Sequence, residues 1–333
     1  MRGALLAALA ALACAAPPPP PLVELSDGRP AMGTILEITL HAQDTPLARA
    51  TLGELFALAA RLDAVMTLYD PESDLARLNR TAGRGPAPVD SELAQILAAS
   101  IVYSRLTSGA FDVTVRPLVA LWTQAGQTGV PPRAEELARA RALVGSDQIR
   151  LEGSAVALAR EGVSVDLGGI AKGWALDRML PLLRERGIDR ALLDFGQSSL
   201  WALGAPPGAS GWRLLARGPE GGVLGVLTLS DQALSVSGSL GQWVEIGGRR
   251  YGHVLDPRSG LPLERRRQAM VVAPNAALAE ALSKALLVLG EVEGVARVAA
   301  QPGCEGILVD AEGGSWETPG WSKAVRFERI PSE

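Results

Sequence analysis

An α+β fold, with helices packed on mixed or antiparallel sheets, follows from two patterns in this 333-residue chain. Segments of period-two alternation and segments of helical periodicity both recur along it. They do not follow the strict strand–helix–strand rhythm that a parallel sheet imposes. Hydrophobic residues make up 47% of the chain, enough to bury the core of one large domain or two smaller ones. The net charge is −4 and no run of like charge exceeds residues 265–267, so nothing resembles a nucleic-acid surface.

The elements can be justified in order. "GTILEITL" alternates as a half-buried strand, with Met32 and Gly33 at its mouth. Residues 46–64 repeat apolar positions at helical spacing and predict a helix on that strand. "SELAQILAASIVYSRLTSG" predicts a second helix, ended by Ser108-Gly109 in the manner of a C-cap. "PPRAEELARARALVG" predicts a third. Strands are expected at "QIRLEG", "AVALAR" and "GVSVDLGG", and also directly after "GAFD". A helix at "AKGWALDRMLPLLRERG", a strand at "RALLDFG" and a strand-rich stretch over residues 212–244 come next. "AALAEALSKALLVLGEVEGVARVAA" is helical and "GILVDAEG" reads as a late strand. No hinged pair of βαβ domains is seen, which argues against a solute-binding module.

Residues 1–21 read as a targeting segment and tether, and residues 22–333 as the folded domain. Arg2 precedes an apolar run too short for a membrane span, which needs ~20 residues. Cys14 after "ALA" fits a lipoprotein cleavage site, although Ala11 stands where leucine is usual. Ordinary signal cleavage near "ACAA" is the alternative. Either route exports the protein to the periplasmic side. The prolines at 17–21 form a stiff extended tether. With Cys14 lipidated, Cys304 has no disulfide partner.

Rare residues mark the candidate site. The chain has two histidines, His41 and His253, and three lysines among 32 basic residues. His253 lies in "YGHVLDPRSG", before an Asp-Pro turn. Alone it reads first as a polar turn residue making one backbone hydrogen bond, with a base as the alternative. In "VSVDLGGIAKGWALD", Asp166, two glycines and Lys172 join an expected strand to a helix start, where free amides suit a phosphate. A plain connecting turn is the other reading. Ala110, Phe111 and Asp112 follow a helix end, where the scarce phenylalanine either packs the core or stacks on a planar ligand. Tyr69 stands next to a turn in "TLYDPESDLARLN".

Together these stretches resemble the FAD:protein FMN transferase (ApbE) family. The match runs in order through "MGT", "LYDPESDLARLN", "GAFDVTVRPL", "DLGGIAKGWALD", "ALLDFGQSS", "LSVSGS", "HVLDPRSGLP" and "ALSKALLVLG". The most specific part is "DLGGIAKG" followed by the His-x-x-Asp-Pro-x-Ser-Gly element. The resemblance implies a two-lobed fold and a magnesium-dependent enzyme that cleaves FAD. FMN would be attached by a phosphoester to a Thr or Ser of an exported acceptor flavoprotein, with release of AMP. It further implies that Met32, Tyr69, Ala110, Phe111, Asp112, Asp166 and Lys172 line the FAD pocket, with His253 at the reacting phosphate. A histidine near its ordinary pKa of about 6.5 suits removal of the hydroxyl proton.

The chain departs from the pattern in "ALAEALSKALLVLG". The resemblance implies Asp and Thr four residues apart as magnesium ligands, with a carbonyl at Ala171; here they are Glu280 and Lys284. An ammonium has no lone pair and repels a dication. An exposed Glu–Lys helix pair is the plain alternative. Otherwise Lys284 stands where the metal stood and touches phosphate. The expectation is a slow or metal-independent transferase, or an FAD-binding protein that has lost the chemistry. Asp194 and Gln197 are milder departures.

Overall fold

The computed structural model describes residues 21–239 and 243–330. The targeting segment and Cys14 lie outside these residues.

Its centre is an eight-stranded sheet in which every neighbouring pair is antiparallel. In spatial order the strands are Leu22–Ala31, Thr34–Gln43, Ala191–Phe195, Ser199–Leu203, Gln232–Gly238, Arg267–Ala273, Glu305–Asp310 and Ser315–Glu317. The first of these has no counterpart in the sequence reading, because Asp27-Gly28 and Pro30 look like turn residues. It is an edge strand, where Gly and Pro are tolerated. Its ten-residue ladder with Thr34–Gln43 closes at Ala31 and Thr34, leaving Met32 and Gly33 as a two-residue turn. Both have positive φ, 48° and 76°, the turn that matches the twist of a hairpin.

One face of the sheet carries helices. Pro46–Met66 starts with Thr45 accepting from the Ala48 N–H and proline in the first turn. It then buries Thr51, Leu55, Ala59, Leu62 and Met66, one side of the helix. Ser91–Leu106, Ala171–Glu185 and Ala276–Ala299 complete this core. The opposite face is covered by a three-stranded sheet of Trp212–Arg217, Val223–Leu229 and Glu328–Arg329, around Leu234, Met270 and Trp321. A third, small core joins Leu118, Trp122 and Ala125 to Ile246 and Leu255.

Two expected strands are corrected. The stretch after "GAFD" is a 3-10 turn, Val113–Val115, running into the helix Arg116–Thr128. Asp112 caps that turn by accepting from the Thr114 N–H, and Pro117 sits in the helix's first turn. The stretch "VSVDL" is extended but joins no sheet. The Asn79 side chain pairs with it instead, donating to the Val165 carbonyl at 2.9 Å and accepting from the Val165 N–H at 2.8 Å. A single amide thus replaces a strand partner.

Candidate functional site

Four segments meet at the rim of the helical layer. The first is the turn at residues 166–172. The Asp166 N–H donates to the Val113 carbonyl, which ties it to the capped turn at Asp112. Asp166 Oδ1 accepts from the Gly168 N–H at 2.8 Å. The helix Ala171–Glu185 then begins with no side-chain cap; its Ala171 N–H donates to the Leu167 carbonyl at 2.8 Å, which leaves the Lys172 and Gly173 amides for an anion. Lys172 lies half-buried in that first turn.

The second segment ends the helix Ser91–Leu106. Ser108 and Gly109 both take positive φ, and the Gly109 N–H returns to the Ser104 carbonyl. Thr107 Oγ1 accepts from the Phe111 N–H at 3.1 Å. Ala110, Phe111 and Asp112 are consequently buried. The Asp112 carboxylate is fully engaged by Ser104 Oγ at 2.8 Å and by the Thr114 N–H and hydroxyl. Asp112 therefore shapes the pocket wall and does not present a free charge to a ligand.

The third segment is the long helix Ala276–Ala299. Asp177 anchors its start: Oδ1 accepts from the Ala276 N–H and from Trp201 Nε1, and Oδ2 from the Ala277 N–H. The helices approach so closely that a Cβ on Gly173 would lie 2.5 Å from the Ala276 carbonyl oxygen. One turn on, Glu280 is 1% exposed. Its Oε1 accepts from Ser199 Oγ, whereas Oε2 is buried with no hydrogen-bond partner among the described residues. Ser283 Oγ lies 3.0 Å from Ser235 Oγ and 2.8 Å from Ser237 Oγ, fixing the helix on the sheet. Lys284 Nζ donates to the Glu280 carbonyl oxygen at 3.3 Å. Its stem lies across the glycine turn: a Cβ on Gly169 would meet Lys284 Cε at 3.2 Å and Phe111 Cε2 at 3.7 Å. Burial pushes the Lys284 ammonium below the usual lysine range, Glu280 opposes that, and Lys172 adds to it.

The fourth segment is the loop after the strand Arg249–Gly252. His253 is exposed at its start. Asp256 takes the turn role: its carboxylate accepts from the Arg258 N–H and from Arg258 Nε and Nη2, at 2.9–3.0 Å. Trp122 Nε1 donates to the Gly260 carbonyl at 2.8 Å, pinning the loop to the small core. The Arg258 stem lies near Gly109, so this loop borders the second segment.

Phe111, Asp166, Lys172, Lys284, Glu280 and Ala171 are thus gathered in one region. Met32 and Tyr69 are not packed into it. The Met32 N–H is held by Asp63 Oδ2 at 2.9 Å, and Tyr69 is 98% exposed. Asp177, Asn79, Asp63 and the serine cluster escaped the sequence reading. Ser235 and Ser237 sit two apart in a strand, and that alternation was their one visible signal.

These residues do not fit a magnesium ion. Glu280 is the one buried carboxylate with an unpartnered oxygen among the described residues, and both Asp177 oxygens are occupied. The described residues hold no group of three His, Cys, Asp or Glu suited to a metal. Lys284 brings a positive charge and no lone pair. The exposed Glu–Lys pair is excluded too, since Glu280 is buried and its carboxylate forms no ion pair with Lys284.

Fold and site together define an α+β protein in which a glycine turn and an uncapped helix start lie beside Phe111 and Lys284. The chain belongs to the ApbE family, whose model matches residues 32–308. A relative from Vibrio cholerae named FAD:protein FMN transferase is 30% identical over 274 residues, 80% of this chain and 82% of that one. One of the same name from Haemophilus influenzae is 31% identical, covering 74% and 75%. The solved flavin transferase ApbE from Vibrio cholerae superposes with a TM-score of 0.79 at 26% identity, covering 91% of this chain and 99% of that one. The apo flavinyl transferase ApbE from Pseudomonas stutzeri gives 0.80 at 29% identity, covering 91% and 97%.

Proposed function

We propose that this protein is an FAD:protein FMN transferase. It binds FAD at the 166–172 turn and transfers FMN to a Thr or Ser hydroxyl of an exported acceptor protein. The hydroxyl oxygen attacks the FMN-side phosphorus, the bond to the bridging oxygen breaks, and AMP leaves. One observation carries the reading in a chain of this family. The open helix start beside Gly169 is packed against Phe111 and Lys284, which puts backbone donors, an aromatic ring and ammonium groups around one anion site.

The roles follow from the chemistry of each group. The Lys172 and Gly173 amides and the two lysines hold the pyrophosphate and neutralise developing charge. His253, on a loop fixed by Trp122 and Arg258, takes the hydroxyl proton. The family resemblance assigns Tyr69 and Met32 to the flavin end, and the exposed Tyr69 ring is free to cover a planar ligand there. Magnesium has no assigned part, because the residues present do not hold it. The N-terminal segment supports export and lipid attachment at Cys14, which places the enzyme and its acceptor on the periplasmic side of a membrane.

Incubating the purified protein with FAD and a candidate acceptor, with assay of AMP release and of flavin bound covalently to the acceptor, tests this. AMP and labelled acceptor in equal amounts are expected. FAD binding without either product would refute the transferase reading.

A further inference from the structure

We infer that Lys284 and Lys172 form a two-ammonium clamp on the FAD pyrophosphate, and that FAD binding here needs no divalent cation. This rests on the flavin-transferase reading above. Ion pairs among the described residues all use arginine or histidine, so neither lysine is matched by a carboxylate. Yet the two are close enough for Lys172 to disfavour charge on Lys284. Two like charges beside one glycine turn, with the single carboxylate of Glu280 acting on Lys284, are unfavourable in the absence of an anion. A pyrophosphate with two negative charges resolves that conflict.

The geometry agrees with the charge. The Lys284 stem crosses Gly169, where a Cβ would meet its Cε at 3.2 Å, a tight contact, so its ammonium is delivered at the turn that precedes the uncapped helix. An ammonium carries three donors, and Lys284 spends one on the Glu280 carbonyl. Two remain for phosphate oxygens. Buried Glu280, held by Ser199 and left with an unpartnered Oε2, supplies the countercharge that keeps this lysine in place between ligands. Lysine at 284 thus adds one positive charge where a threonine would add a metal ligand.

The test is an FAD titration followed by flavin fluorescence, in EDTA and in millimolar Mg²⁺, with riboflavin as a phosphate-free control. Wild type should bind FAD with a Kd that agrees within about twofold between the two buffers. Lys284→Met keeps the stem across Gly169 and should weaken FAD binding by about 10- to 100-fold, as loss of a charged hydrogen bond does. Lys172→Met should do the same, and riboflavin binding should not change in either variant. Glu280→Asp with Lys284→Thr should make FAD binding depend on Mg²⁺. Wild-type binding that EDTA weakens more than tenfold would overturn the clamp and leave the flavin reading standing. Unchanged FAD affinity in Lys284→Met would do likewise. A lack of saturable FAD binding in both buffers would defeat the flavin reading and the clamp together.

Discussion

His253 leaves the strand Arg249–Gly252 and enters a loop in which the Asp256 carboxylate is held by Arg258 and the Gly260 carbonyl by Trp122. A fixed loop carrying a titratable ring suits proton transfer, and a general base contributes about 10² to 10⁴ in rate. His253→Ala should therefore slow FMN transfer by that range while the Kd for FAD, read by fluorescence, stays near wild type. Unchanged turnover would refute the assignment. Tyr69 presents the opposite case, because nothing in the protein covers its ring. Stacking on a base is worth about 1–3 kcal/mol, so Tyr69→Ala should raise the FAD Kd about tenfold with no change in Tm. An equal Kd would place the flavin elsewhere. Both residues stood out in sequence through rarity beside a turn, and both are exposed in the structure. Asp112 was legible in position only: its buried bonds to Ser104 and Thr114 show a cap, a role that depends on tertiary contacts no motif displays.

The crossing of Ala171–Glu185 with Ala276–Ala299 sets the distance between the glycine turn and Lys284. Asp177 makes that crossing by accepting three N–H donors. Burial outweighs those donors and pushes its carboxyl up to about 6, with Glu280 adding a smaller push. A carboxyl raised in the folded state favours folding below its unfolded pKa, and that contribution is lost as pH climbs to about 6. Urea unfolding should then show wild type losing, relative to Asp177→Asn, on the order of 3 kcal/mol between pH 4 and pH 7. A constant gap between the two would mean an unshifted carboxyl. The same crossing was half legible. Helical periodicity exposed both helices, and Gly173 lay in a quoted motif. The need for a glycine appears only once Ala276 is seen against it. The missed edge strand Leu22–Ala31 and the missed helix Arg116–Thr128 share a cause. Local turn residues dominated their sequences, and long-range pairing or capping decided the outcome.

At the scale of the whole molecule, the folded domain starts with an edge strand at Leu22, directly after the proline run. Five prolines at ~3.1 Å each are expected to give a tether of roughly 15 Å. A tether of that kind limits how far the cleft can stand from an anchoring surface without fixing its orientation. One acyl chain gives only marginal attachment, whereas two or more hold a protein stably. Lipidation at Cys14 therefore predicts a sharp partition. Full-length protein expressed in a bacterium should sediment with membranes and resist extraction by 1 M salt, which would release a protein held by surface charge. Cys14→Ser should move it to the soluble periplasmic fraction with its FAD affinity unchanged, since the residues that gather at the cleft all lie beyond the tether. Wild-type protein already in the soluble fraction, trimmed near residue 16, would establish ordinary signal cleavage and remove the anchor from the proposal.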